Sequence, residues 1–175
     1  MSGKIWILCG LPGAGKSTWV KNNLPNAHVI CRDSILESVA AEHGISYDDS
    51  FKNNHLAKDV QRIASSQLLH ELLPKSMAKI PDEVDIVVDM TNLSSYSRRK
   101  NCPHIKGRSV ICVFFNHVNN LELIYRSLDR RYNELGWKKI PKSVIISMLN
   151  SFEMPDASRE NFESVQVVDP QTYLE

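Results

Sequence analysis

The sequence predicts an α/β fold, with a doubly wound, mainly parallel sheet of five strands flanked by helices. Three observations point to it. Short apolar runs alternate with helix-length segments along the whole chain. The first apolar run opens directly into a glycine-rich turn and then a helix. The 175 residues are 42% apolar at a net charge of +1, which suits one globular domain over residues 1–175 and excludes intrinsic disorder. A chain of this length buries about 70% of its unfolded surface, so neither disulfides nor a structural metal are required.

Ile5-Trp6-Ile7-Leu8-Cys9 is apolar throughout and reads as a central strand buried on both faces. Lys16 to about Asn23 is a short helix closed off before Pro25, and Ala27 to Cys31 is a second strand. Asp33 or Ser34 caps a helix running to about Glu42, before Gly44. About Asn53 to Leu73 forms a long helix with Leu56, Val60, Ile63, Ala64, Leu68 and Leu72 on its apolar stripe, stopped by Pro74. Asp85 to Asp89 is a strand ending in a carboxylate, and Ser94 or Ser95 starts a helix across Arg98 and Arg99. Ser109 to Phe114 is the fourth strand. Asn119 or Asn120 caps the helix after it, and Pro141 opens a last helix to about Phe152. Ser164 to Val168 closes the sheet as an edge strand.

Cys9, Cys31, Cys102 and Cys112 are scattered, with no Cys-x-x-Cys pair, and are expected to be reduced and mostly structural. Cys102-Pro103-His104 offers two ligands, too few for a metal site. No run approaches the roughly 18 apolar residues of a membrane span, and no signal-peptide pattern opens the chain. A soluble, cytoplasmic protein is expected.

Gly10-Leu11-Pro12-Gly13-Ala14-Gly15-Lys16-Ser17 satisfies G-x-x-x-x-G-K-[ST] between a strand and a helix. Glycines let the backbone wrap a phosphate while its N–H groups and the helix N-terminus face the anion. Lys16 reaches the β- and γ-phosphates, and the Ser17 hydroxyl is offered to magnesium. ATP with magnesium is therefore the expected cofactor pair, bound over Gly10 to Thr18. The chain lacks the Asn-Lys-x-Asp element of the familiar GTPases. Asp89 is followed by Met90, where motor ATPases usually carry a Glu. Together these features point toward phosphoryl transfer to a bound acceptor.

Such a transfer needs a general base, a support for magnesium and cations over the moving phosphoryl group. Asp33 follows the second strand at the sheet edge where ligands bind, so it is the candidate base as well as a candidate helix cap. Asp89 ends another strand on that edge; it either orients magnesium waters or hydrogen-bonds the turn at Thr91-Asn92. Arg126 to Lys142 carries six cations against two carboxylates, whereas Ser151 onward carries one Arg against six. Arg126 and Arg130, four apart, share a helix side. With the loop at Gly136 they form a basic lid, about 126–141, that stabilises charge on the γ-phosphoryl oxygens.

Four blocks in order resemble the polynucleotide 5′-hydroxyl kinases, within the small P-loop kinases that phosphorylate hydroxyls. They are Gly10 to Trp19, Arg32-Asp33, Asp89-Met90-Thr91-Asn92 with Ser97-Arg98, and Arg126 to Arg130 with Ile140-Pro141 and the helix through Met148. The likeness covers about residues 4–155. It implies a P-loop kinase fold, Asp33 as general base, and DNA or RNA as acceptor. Any phosphatase or ligase partner would then be a separate chain. Where some members of that family grip a substrate phosphate with Arg, this chain has Leu36.

A net charge of +1 does not suit a protein gripping a long duplex, but a strand end needs few contacts. Arg98, Arg99, Lys100, Lys106 and Arg108 form a second basic cluster that can serve, with Tyr96 for stacking and Trp137 to cover a base. The leading expectation is a kinase for a nucleic-acid hydroxyl, most simply a 5′-hydroxyl end. Alternatives are a kinase for 5-hydroxymethyluracil within DNA, for an aminoacyl-tRNA or small-molecule hydroxyl, or a nucleotide-binding module without catalysis.

Overall fold

The computed structural model describes residues 2–102, 105–135 and 139–174. Five strands, β1 (Ile5–Cys9), β2 (His28–Cys31), β3 (Ile86–Asp89), β4 (Val110–Phe115) and β5 (Ser164–Val168), form one all-parallel sheet in the order β2-β3-β1-β4-β5. The central strands are the continuously apolar runs: β3 and β4 are buried at every residue, and β1 at all but Trp6. Edge strands β2 and β5 are largely exposed or half-buried, so β5 is the edge strand that its mixed Ser-Val-Gln-Val-Val predicts.

Helices α1 (Lys16–Asn23), α2 (Arg32–Glu42), α3 (His55–Glu71), α4 (Pro74–Met77), α5 (Ser95–Asn101), α6 (Leu121–Leu135), α7 (Lys142–Asn150), α8 (Ala157–Glu160) and α9 (Gln171–Leu174) connect or follow the strands. One sheet face packs Ile7, Cys9, Ile30, Val88, Cys112 and Phe114 with Leu68 and Met77. The other packs Leu8, Val87, Val113 and Phe115 with Trp19, Ile124 and Ile145. The cysteines are free; Cys9, Cys102 and Cys112 are buried, and burial raises the Cys9 and Cys102 pKa values to about 11. Pro103 and His104 lie outside the described residues. No helix among the described residues is long and apolar enough to cross a membrane.

Several local expectations are corrected. Neither Asp33 nor Ser34 caps α2: the N-cap is Cys31, in extended backbone with no side-chain cap bond, and Asp33 lies in the first turn. Helix α3 is capped by Asn54, whose side chain accepts from Ala57 N at 2.8 Å. The stripe turns accordingly, burying Ala57, Val60, Ala64 and Leu68 and leaving Leu56 44% exposed. Pro74 does not merely end a helix; it sits at the start of α4, where its missing N–H costs nothing. Pro141 is the N-cap of α7 rather than part of its first turn, and α8 and α9 follow. Those four-residue helices span barely one turn and leave no periodicity to read. Ser94 caps α5 as expected, in a reciprocal arrangement with Ser97.

Register positions the functional edge. Cys31 of β2 pairs with Asp89 of β3, and β1 runs beside β3 on the other side. The connections leaving β1 and β3 lead toward opposite ends of the sheet, so a crevice opens at their C-terminal ends.

Candidate active site

The turn from Gly10 to Gly15 leaves β1 at that crevice. Gly13 and Gly15 have φ of 79° and 85°, left-handed values that other residues adopt only under strain. A Cβ on Gly13 would also lie 2.9 Å from the Leu128 side chain of α6. Helix α6 therefore rests directly on the loop. Helix α1 begins at Gly15 with no side-chain cap bond, which leaves its first N–H groups turned toward the loop and available to an anion. Gly10 N donates to Thr91 O at 2.9 Å, fastening the loop to the turn after β3. Leu11 and Ala14 are fully buried and hold the loop from behind; Pro12 is half-buried.

Lys16 folds back across the loop mouth, its Nζ donating to Gly10 O at 3.2 Å and Leu11 O at 3.0 Å. Burial lowers its pKa, opposed by the carboxylates of Asp89 and then Asp33. That opposition places both acids in the field of the ammonium. Thr18, half-buried, follows in the first turn. Ser17 is exposed, and its Oγ donates to Asp89 Oδ2 at 3.1 Å. Asp89 is only 9% exposed and makes no ion pair among the described residues. A buried carboxylate facing a hydroxyl, with no ion pair among the described residues, suits an oxygen-ligated magnesium ion. Asn92 ties the turn after β3 to β1. Its side chain donates to Leu8 O at 2.9 Å, from a left-handed backbone at φ 43°.

Asp33 is exposed on the same edge, and Oδ1 accepts from the Tyr47 hydroxyl at 2.8 Å. Tyr47 escaped the sequence reading; the one trace of it was an aromatic pair, Tyr47 and Phe51, in an otherwise polar loop. Arg32 turns away from the loop, donating to Gln61 of α3 at 2.8 Å. Leu36 is fully buried with Val39, Ala40, Val60 and Ala64, so its position faces the α2–α3 packing and not the crevice.

Arg126 and Arg130 are both exposed on α6, and with Leu123, Ser127 and Leu174 they line a cavity of about 260 Å³. Ser127 contributes a buried hydroxyl that has no partner among the described residues. Two further cations of the basic segment lie over aromatic rings: Lys139 over Tyr132 at 5.5 Å and Lys142, the first residue of α7, over Tyr125 at 5.6 Å. Gly136, Trp137 and Lys138 lie outside the described residues.

The second basic cluster is corrected. Arg98 is fully buried, paired with Glu160 through two 2.8 Å bonds and donating to Asn92 O and Leu93 O. Arg108 is 8% exposed and donates to the carbonyls of Ile80, Pro81 and Val84. Only Arg99, Lys100 and Lys106 of the five reach solvent, with Tyr96 beside Arg99 and Lys100 on α5.

Compared with known proteins, the chain matches a family model described as an AAA domain over residues 5–155. No curated protein matches it by sequence. Among solved structures, Kti12 of Chaetomium thermophilum in complex with ADP-AlF3 is similar at 14% identity and TM-score 0.58, over 97% of this chain and 95% of that one. A sugar kinase from Janibacter sp. gives 17% identity and TM-score 0.56, over 98% and 90%. A fungal RNA kinase gives 16% and 0.55, over 97% of this chain but 38% of its own. Identities this low establish a shared α/β fold and nothing finer.

Proposed function

The chain belongs to the family of AAA domains, and from that membership and the geometry above we propose that it is an ATP-dependent kinase. It transfers the γ-phosphate of ATP to a hydroxyl of nucleic acid, most simply the 5′-hydroxyl end of DNA or RNA. One observation carries the reading. Lys16, Ser17, Asp89 and Asp33 converge on one sheet edge, with Ser17 bonded to Asp89 and both acids in the field of Lys16.

The N–H groups of the loop and of the first turn of α1 bind the phosphates of ATP, and Lys16 exchanges its two carbonyl partners for phosphate oxygens. Ser17 and Asp89 would hold magnesium, which would supply positive charge to offset that of the phosphates. Asp33 accepts the proton of the attacking hydroxyl as its oxygen bonds to the γ-phosphorus. The bond to the β–γ bridging oxygen breaks, and ADP leaves. Arg126 and Arg130 stabilise the charge on the transferring group, and α6, already seated on the loop at Leu128, helps exclude water as a rival acceptor. The resemblance to polynucleotide 5′-hydroxyl kinases and the fold shared with an RNA kinase support nucleic acid as acceptor. The fold shared with a sugar kinase keeps a small-molecule hydroxyl as the second reading.

The test is transfer of label from γ-labelled ATP to a 5′-hydroxyl DNA strand, the matching RNA, and DNA carrying internal 5-hydroxymethyluracil with blocked ends. Label on the plain strands is expected. Label on the blocked strand alone would make the protein a base-modification kinase, and label on none would turn the search to tRNA and small molecules. Arg130→Ala is expected to lower kcat by about 10²–10³-fold, the usual cost of one transition-state donor. Stability should change by no more than about 0.5 kcal/mol, since the side chain is exposed. Equal losses of activity and stability would make Arg130 a structural residue.

A further inference from the structure

Helix α5 carries an outward face that the phosphate-handling groups leave unused. It is the crossover from β3 to β4, starting six residues after Asp89 on the site edge and returning toward the opposite edge, where β4 begins. Its outward residues therefore lead away from the site. Tyr96 is 68% exposed, and Arg99 and Lys100 are exposed three and four positions further on. That spacing puts all three on one side of the helix. Arg98, between them in sequence, turns inward to Glu160.

The charges along this side are not balanced. Arg99, Lys100 and Lys106, the last exposed in the loop beyond α5, make no ion pair among the described residues. The acids that adjoin them are held by other groups. Glu153, in the field of Arg99, accepts from Ser95 N at 2.6 Å. Glu160 is buried against Arg98, Asp82 faces Arg108 at 3.9 Å, and Glu163 pairs with Lys4 at 3.0 Å. Lys106 lines a cavity of about 470 Å³ with Arg108, Ser109, Asn161 and Glu163. Asn161 directly follows α8, the helix whose Glu160 is bonded to α5. The cavity thus lies where the α5 face ends.

Exposed cations on a helix are ordinary by themselves. Here they follow one another from a largely exposed aromatic ring at the site end of the helix to a cavity at the far edge. A polyanion carrying flat groups complements that order, with phosphates on the cations and a base on the ring. A duplex hides its base faces, and three cations are few for one, whereas a single strand offers both groups. We propose that the α5 face is the docking track for the single strand that trails from the reacting hydroxyl: Tyr96 stacks on a base, and Arg99, Lys100 and Lys106 hold successive phosphates. This rests on the kinase reading above and narrows its acceptor to a single-stranded chain of several nucleotides.

The test has two readouts. The first is binding of a fluorescent 5′-hydroxyl oligonucleotide to the whole chain, followed by anisotropy across a salt series. The second is steady-state transfer from labelled ATP to that oligonucleotide and to a dinucleotide too short to follow α5. The triple variant Arg99→Gln, Lys100→Gln, Lys106→Gln should bind the oligonucleotide more weakly. Its logarithmic salt slope should be flatter by about 2, at roughly 0.7 for each cation lost from a single strand. Tyr96→Ala should weaken binding roughly 5- to 150-fold with the slope unchanged, the span of one base stack, and Tyr96→Phe should restore it. In transfer, the triple variant and Tyr96→Ala should raise the KM for the oligonucleotide while kcat and the KM for the dinucleotide stay as in the wild type. All the substituted side chains are exposed, so the fold survives. Variants that bind and label the oligonucleotide as the wild type does overturn the track and leave the kinase reading standing. Wild-type binding that the variants lose, with no label on either acceptor, keeps strand docking and overturns the kinase reading for these ends. A wild type that binds no single strand overturns the track and turns the search for its occupant to an acidic protein.

Discussion

Asp33→Asn is expected to lower phosphate transfer by roughly 10²–10⁴-fold, the contribution of a positioned general base, while ATP affinity changes little. The carboxamide has the same shape, and its Oδ1 still accepts from the Tyr47 hydroxyl, so the local structure survives. What disappears is the capacity to hold the acceptor's proton. Asp33 makes no hydrogen bond to the loop among the described residues, and Lys16 is held there by Gly10 and Leu11 carbonyls. Binding of ATP, followed by equilibrium titration, should therefore be nearly unchanged. Stability should fall by about 1 kcal/mol or less, because the residue is exposed and its charge helps α2 only through the helix dipole. The contrast with Lys16 is useful. Lys16→Ala should weaken ATP binding itself, since that ammonium is the loop's own cation. Unchanged turnover in Asp33→Asn would remove the residue from the chemistry.

The parts of this site legible in the sequence are those whose signal is local. An unbroken apolar run, a glycine-rich turn and Lys16-Ser17 lie within thirteen residues, and α1 falls where that pattern places it. Arg126 and Arg130 likewise announce a shared face through their spacing. Asp33 could be placed on the correct edge, but its partner lies fourteen residues further on, in a turn without periodicity. The basic cluster misled for the same reason. Arg98 stands between Ser97 and Arg99 like any surface cation, and nothing within a helical turn reveals that its partner is Glu160, 62 residues away. Burial of a charge is a tertiary fact, decided by which segment returns to cover it.

Glu160→Gln should cost about 3–5 kcal/mol of stability, read as a lower urea midpoint at unchanged slope. Both side chains are within 1% of complete burial, so the substitution leaves a guanidinium charge in the core without its counter-charge. An exposed pair such as Arg62 with Asp59 would cost at most about 1 kcal/mol when broken. Removing both charges is a different experiment. Arg98→Met with Glu160→Leu fills the space with apolar atoms and should recover much of the loss, because two buried ions repay their desolvation poorly. It should not recover activity fully. Arg98 also donates to Asn92 O at 3.1 Å and Leu93 O at 2.9 Å, and so fixes the turn that follows Asp89. That turn receives the Gly10 N–H through Thr91 O, which makes the buried pair the rear support of the phosphate loop. A double variant as stable as the wild type but several-fold weaker in ATP binding would separate the two roles. Full recovery of both would reduce the pair to packing alone.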